Sequence, residues 1–596
     1  MKVSYRHANP AAGNESFLLR FEEDDGNGHD ALASQTPCVL VDAGADVDVE
    51  ALLGEDDYLA AIVLTHAHSD HYQSLATNLR HGAPIYTSEA TASILETVLT
   101  DAQRHADDGL GDIEAVLDAL EPFEEWVSPV AGLRLAPVPA GHTPGAIGVL
   151  IQFEDGSGSG AEERHTVLAT GDWTPQHAAG YPGVDTALPV DVEAVFLTAS
   201  TNDTYETALT DSVGRIYERA HAGSSVVVSA SGLTSVQYAY LLGHLGEHLE
   251  RPLSITLVGQ AAKLAVDLDY DVPNVEVTPD FNEPDELLAP GTITIAGPEA
   301  PTEGSSGRLF GAIRNDPSAT LVQVLAGDDA PITSASCTTD DFAVIAHPTE
   351  AAVDTLVEAL NPTQVIIAHQ RGRAAQRYKE EYNSFVWTTD NTDEYTLYED
   401  SEWIAPPWMT AEGRSFVQQG NGAGRGLWLG DAVDAETTAE IPLPSCARIE
   451  ESVDLEAEGL DVDTLEGRLR TSGTTETETA ASPPADVPTA SASESSGADA
   501  DSGSASDGDA VEAETTASEA SRSETEGVGS ITDRLDAIEA QLEDIGQRTG
   551  ATVPARAIDA GDGITLLRVL DSDLGSEIEH GETVRVQVQT TSDSEE

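Results

Sequence analysis

At 596 residues the chain exceeds what one hydrophobic core organises, at roughly 100–200 residues per domain, so a large unit with further modules is expected. Hydrophobic residues make up 40 %, and no apolar run approaches the ~20 residues of a membrane helix, which excludes a membrane-spanning reading. The 28 basic residues face 106 acids for a net charge of −78, a balance that ordinarily argues against a nucleic-acid partner.

The acids are spread along the whole chain rather than gathered in a tail, and only Lys2, Lys263 and Lys379 are lysines. In molar salt the Debye length falls to ~3 Å, so dense like charge becomes tolerable and keeps a protein soluble. Read that way, the acidity weakens the case against nucleic acid without removing it.

In chain order, Met1–Arg6 reads as a strand rather than a signal peptide, which points to the cytoplasm. The runs Cys38–Val41, Ala61–Leu64, Leu133–Val138, Val167–Ala169, Val195–Leu197, Val226–Val228, Ile255–Val258, Thr292–Ile295, Thr320–Val324, Phe342–Ile345 and Gln364–Ile367 read as buried strands. Helical patterns fall between them at 88–102, 112–120, 206–221, 233–248 and 349–360, so the fold class is α/β. Residues 376–470, which hold Trp387, Trp403, Trp408 and Trp428, read as a structured extension. Residues 471–530 are almost wholly small, polar and acidic and should form a disordered acidic linker. Ile531, Leu535, Ile538, Leu542 and Ile545 trace a short heptad seam within 531–549, either an amphipathic helix packed on the tail or a coiled coil joining subunits. Residues 550–596 read as a small β module, with strand-like runs Ile564–Leu570 and Thr583–Gln589. Cys38, Cys337 and Cys446 form no CxxC pair and are read as core residues.

Chemistry gathers where strands end. Asp42 follows Cys38–Val41, and His66-Ala67-His68-Ser69-Asp70-His71 follows Ala61–Leu64. His142 follows Leu133–Val138, Asp172 follows Val167–Ala169, and His347 and His369 follow the last two apolar runs. Open α/β sheets present ligands at the carboxyl ends of their strands. A lone histidine after a strand is usually a satisfied core group. In the HxHxDH run, however, His66 and His68 share one side of an extended segment while Asp70 and His71 reach the neighbouring position. Imidazole and carboxylate without competing thiolate suit zinc.

These motifs resemble the metallo-β-lactamase superfamily. The resemblance implies an αββα sandwich and two Zn2+ ions: His66, His68 and His142 on one, Asp70 and His71 on the other, Asp172 bridging, and Asp42 supporting by hydrogen bonds. Gly223–Gly232 with Ser235-Val236-Gln237, the His347 segment, and Asn361-Pro362 before Val365–His369 resemble the β-CASP branch of RNA-processing and RNA-decay nucleases. That branch implies a first part over 1–199, an inserted α/β domain over 200–340 and a return segment over 341–375. It also implies His347 as proton donor to the leaving oxygen, His369 as a further ligand of the second zinc, and RNA as partner. Catalysis would then rest on Asp70, Asp172 and His347. The low lysine content resembles proteins of salt-loving archaea.

The chain also departs from the branch. Ala199 stands where an acid orienting the proton donor is expected, with Asp203 the nearest substitute, and Leu233 stands where an arginine is expected. The leading reading is therefore a zinc-dependent phosphodiesterase acting on RNA. A non-catalytic RNA-processing subunit and a thioester or lactam hydrolase are the alternatives. A homodimer through the inserted region or the 531–545 helix stays open.

Overall fold

The computed structural model describes residues 1–472 except 23–34, 106–109, 156–162, 328–329, 412, 416, 418–441 and 451, together with the strands Thr552–Asp559, Thr565–Val569 and Arg585–Val588. The chain divides into two units, Met1–Ser482 and Pro483–Glu596. The linker from 473 onward and the 531–545 seam lie outside the described residues.

The first unit is mixed α/β. An eight-stranded sheet runs in the order Glu402–Trp403, Tyr395–Glu399, Lys2–His7, Phe17–Glu22, Thr36–Val41, Asp57–Val63, Ile85–Thr87, Leu120–Pro122. A seven-stranded sheet runs Phe385–Trp387, Gln364–Ala368, Ala194–Thr198, Glu163–Ala169, Ile147–Asp155, Leu133–Pro139, Val127–Val130. The two pack face to face. Alternation along each strand sorts its side chains: Val39, Val41, Ala61 and Val63 join Val149, Ile151, Val167 and Phe196 in the core between the sheets. Cys38, Leu40, Ile62 and Leu64 point the other way, towards the helix Glu89–His105. On the outer face of the seven-stranded sheet, Val353, Leu356 and Val357 of the helix Glu350–Leu360 cover Val195, Leu197 and Ile367. This is the expected αββα sandwich. The tryptophan-rich stretch read as an extension supplies edge strands to both sheets.

Between Thr198 and Gln364 the chain builds a third, six-stranded sheet, all parallel: Val275–Thr278, Ile255–Val258, Ile293–Ala296, Val226–Ser229, Thr320–Leu325, Thr338–Ala343. The apolar run Phe342–Ile345 is not a buried strand. The strand lies two to four residues earlier, at Thr338–Ala343, and is a half-exposed edge of this third sheet. The helices Gln260–Asp267 and Gly304–Ile313 were not legible in the sequence; both are short, and Gly304, Gly307 and Gly311 dilute the second.

In the second unit Thr552–Asp559 is the central strand, antiparallel to Thr565–Val569 and parallel to Arg585–Val588. The two runs read from the sequence therefore flank a third strand and do not pair with each other.

The segment before Ser472 clasps the first unit. Leu455, Leu460, Leu465 and Leu469 are buried with Leu209, Val213 and Ile216 of the helix Tyr205–His221. Glu458, 1 % exposed, accepts the backbone N–H groups of Ala179 and Gly180, each at 2.7 Å. Burial pushes its carboxyl up to about 7, against the opposing effect of those two hydrogen bonds. Unfolded, the group loses its proton near its ordinary 4.5; folded, it keeps the proton to about 7. Its contribution is thus full below 4.5 and is lost as pH rises towards 7, on the order of 3 kcal/mol in all. Thermal melts of wild type and Glu458→Gln, run in parallel from pH 4.5 to 7.5, should show the wild type losing stability relative to the variant across that window. Parallel curves would rule the linkage out.

Candidate metal centre

Parallel strands bring the candidate residues together. Thr36–Val41 and Asp57–Val63 run parallel, as do Glu163–Ala169, Ala194–Thr198 and Gln364–Ala368, so their carboxyl ends open on a shared edge. Asp42 directly follows Val41, and His369 directly follows Ala368. His66, His142 and Asp172 each come three residues past a strand. His68 is extended, with φ −87° and ψ 149°, and the single-turn helix Ser69–Tyr72 then swings Asp70 and His71 to the neighbouring position.

Tight turns aim these side chains. Asp42, His142 and His369 hold φ values of 57°, 26° and 50°, a left-handed backbone that non-glycine residues adopt at a cost. Gly44 leaves no room for a side chain: a Cβ there would run into the Asp70 carbonyl oxygen, and would lie 2.5 Å from Glu15 Oε1.

Two buried carboxylates organise the cluster. Asp42, 1 % exposed, accepts the Thr65 backbone N–H at 2.8 Å through Oδ1 and lies 2.8 Å from His71 Nδ1 through Oδ2. That bond turns His71 Nε2 towards the cavity. Asp172, 2 % exposed, lies 2.8 Å from His369 Nδ1 through Oδ1; its Oδ2 lies 3.4 Å from both His71 Nε2 and His347 Nε2, and 3.7 Å from His142 Nε2. His142 Nδ1 is 2.7 Å from the Ala346 carbonyl oxygen, which fixes the ring.

The electrostatics divide the cluster in two. Burial, with neighbouring imidazoles adding to it, depresses His66 well below the ordinary histidine range and lowers His68; burial holds His142 at about 3. Burial thus favours the neutral form of all three. Burial also disfavours the charged form of His71 and His369, but Asp42 and Asp172 outweigh it at His71, as Asp172 does at His369, and both are raised. The same pairs, His369 first, hold Asp172 well below the usual carboxylate range against the effect of burial.

The donors fit a metal. Three-residue sets fall within 4.8 Å: His66, His68 and His142; His66, His71 and Asp172; His142, Asp172 and His347; Asp70, Asp172 and His369. His66 Nε2 and His71 Nε2 are buried with no hydrogen-bond partner, a costly arrangement that a cation would relieve. His142 Nε2 and His68 Nδ1 face each other at 3.1 Å, two ring nitrogens converging on one point. All eight residues read from the sequence as ligands, proton donor or bridging group therefore meet here, with Asp42 behind them.

The nearest substitute for the missing acid does not meet the site. Ala199 is fully buried, and its N–H is bonded to Ala368. Asp203 accepts the Glu350 N–H at 2.9 Å and so caps the helix Glu350–Leu360 instead of facing His347. Asn202 supports the His347 turn instead. Its Nδ2 donates to the Ile345 carbonyl at 2.9 Å and its backbone N–H to the Pro348 carbonyl, bracketing the turn from both sides. Sequence reasoning also missed Thr65, which links Asp42 to His66, and buried Glu15, whose Oε1 lies against Gly44 as the Asp70 carbonyl oxygen does. Thr65 adjoins the motif and carried a signal; Glu15 carried none. Leu233, where an arginine is expected, is buried in the core of the inserted domain.

The cluster floors a cleft of about 650 Å³ whose opposite wall comes from the third sheet and its helices, including Ser231, Thr234, Gln237 and Glu299.

Comparison with known proteins agrees with this architecture. Residues 38–196 match the β-lactamase superfamily domain. A ribonuclease of Thermus thermophilus is 41 % identical over 101 residues, 16 % of this chain and 23 % of that protein. The DNA cross-link repair 1A protein of Gallus gallus is 25 % identical over 164 residues, 27 % of this chain and 14 % of its own length. A hydroxyacylglutathione hydrolase of Yersinia enterocolitica is 38 % identical over 74 residues, 12 % of this chain and 30 % of the enzyme. The chain thus spans less than a third of each of these relatives, and its match to the β-lactamase superfamily domain covers residues 38–196. No described helix is long and apolar enough to cross a membrane.

Gly44→Ala should displace the Asp70–His71 turn, destabilise the fold by about 1–3 kcal/mol and reduce the metal retained per chain. Elemental analysis after dialysis, with a thermal melt, measures both; unchanged metal retention would show that the turn tolerates the methyl group.

Proposed function

Starting from a β-lactamase superfamily domain whose donors converge on a roofed cleft, we propose that this protein is a zinc-dependent phosphodiesterase that cleaves RNA. His66, His68 and His142 would hold one ion, and Asp70, His71 and His369 a second, with Asp172 between them. Two such ions supply Lewis-acid activation of water and of a phosphoryl oxygen. The remaining work falls to the chain. Asp42 fixes the tautomer and direction of His71, and the Ala346 carbonyl does the same for His142.

The observation that carries the phosphodiesterase reading is His347. Its ring stacks on His142 with centroids 5.3 Å apart, and it is 11 % exposed at the cleft wall. A departing alkoxide needs a proton, and an imidazole beside the metal ligands can deliver one. Asn202 holds the turn that places it. A ribonuclease and a DNA cross-link repair protein among the relatives favour a phosphodiester substrate, and the resemblance to the β-CASP branch, in which a histidine at the place of His369 goes with RNA substrates, favours RNA. Salt-tolerant activity follows from the dispersed acidity of the chain.

Zinc-loaded protein in molar KCl should cleave labelled single-stranded RNA; a chelator or His68→Ala should abolish this. Absence of cleavage by the zinc-loaded wild type would sink the reading, and faster turnover of a thioester than of RNA would replace it with that of a small-molecule hydrolase. His347 also lies within ligand distance of Asp172 and His142, so its role needs a separate measurement. As proton donor, His347→Ala keeps the metal content of the wild type and loses roughly 10²–10⁴ in kcat. Loss of one ion per chain would make it a ligand instead.

A further inference from the structure

We infer that the cations of residues 371–379, exposed at Arg371, Arg373 and Arg377 and half-buried at Lys379, form a docking track for the phosphate backbone of a single RNA strand at the mouth of the cleft, an inference that rests on the RNA substrate proposed above.

The cleft itself cannot supply that recognition. Among the described residues that line it there is no Lys or Arg; its far wall offers hydroxyl and amide groups, and Glu299 adds a carboxylate. Phosphates other than the one being cut must find their partners outside it. Just outside lies a sequence unlike the rest of the chain. No Asp or Glu stands between Glu358 and Glu380, whereas Arg371, Arg373, Arg377 and Lys379 fall within nine positions. A surface made acidic for solubility has no reason to gather cations in one place.

One hydrogen bond, from Arg377, and one adjacency in the chain, of Arg371 to His369, tie this stretch to the cleft. Arg371 comes two residues after His369, and its Nη1 donates to the carbonyl oxygens of Pro10 at 3.2 Å and Ala11 at 2.6 Å, which fixes the guanidinium. Arg377 Nη2 reaches Thr201 Oγ1, on the cleft rim, at 3.4 Å. Glu350 neutralises part of the Arg377 charge. Arg373 lies exposed on the short helix Gly372–Gln376 and makes no hydrogen bond or ion pair among the described residues. Lys379 Nζ sits 5.4 Å over the ring of Trp408, which is 41 % exposed in a chain that buries its other described tryptophans more deeply. Cations tracking a backbone beside an aromatic face on which a base can stack are the two elements of single-strand binding.

The test uses the full chain loaded with zinc, in a His347→Ala background that slows turnover, and a fluorescein-labelled 20-nucleotide RNA titrated in KCl from 0.2 M upward. Arg373→Gln with Lys379→Gln should weaken binding at every sequence tried. It should also reduce the slope of log K against log salt by about 1.4, at ~0.7 per phosphate contact on a single strand. Arg373→Lys should restore its share. Arg164→Gln, which removes a cation at the opposite end of the Glu163–Ala169 strand, should change neither quantity. RNA cleavage by the wild type with unaltered affinity and slope in the double variant would overturn the track and leave the RNA reading intact. An equal loss in Arg164→Gln would overturn it as well, by showing that only total charge matters. Neither cleavage nor binding of RNA by the wild type would overturn both.

Discussion

A carboxylate taken out of water persists only where other groups replace the water, and at Asp172 four imidazoles do so. The rest of the molecule follows from keeping that arrangement intact. Five strand ends, the single-turn helix Ser69–Tyr72 and the His347 segment must all arrive at one point. Three of the residues involved hold left-handed backbone there. Such strain persists only when the surroundings over-determine it. The double sheet does so, with a continuous core between its faces and helices packed on both outer sides.

The same cluster separates roles by environment. Burial keeps His66, His68 and His142 neutral, ready to donate a lone pair, while carboxylates favour the charged form of His71 and His369. A single tip of the sandwich thus offers a neutral half and a charge-paired half within a few ångströms. On the proposed reading, the two halves would hold the two ions.

Much of this was legible in the sequence because it is local. HxHxDH follows closely on its strand, and short continuous apolar runs locate the strands that lead to Asp42, Asp172 and His369. What was not legible is tertiary. The acid missing at Ala199 has no replacement nearby in the sequence that faces His347; the turn is instead held by Asn202 through backbone carbonyls, and no residue pattern announces such a bond. Asp203, three residues from the cleft-lining Ser200, caps a helix. The run Phe342–Ile345 misleads because apolarity does not guarantee burial, and the neighbouring strand is an edge. Glycine-diluted helices such as Gly304–Ile313 lack the periodicity that reveals longer ones.

The inserted sheet has one more effect. Asp172 and His369, in contact at 2.8 Å, are 197 residues apart in the chain. Closing so long a loop is entropically costly for a disordered chain, though the cost grows only slowly with length. An intervening stretch that has folded on its own core shortens the effective span. As the polypeptide leaves the ribosome, Asp42 through Asp172 emerge well before His347 and His369. Residues suited to hold a cation are therefore present early, while His347 and the cations that follow His369 come last. On the proposed RNA reading, the full site can assemble only after His369 has been synthesised.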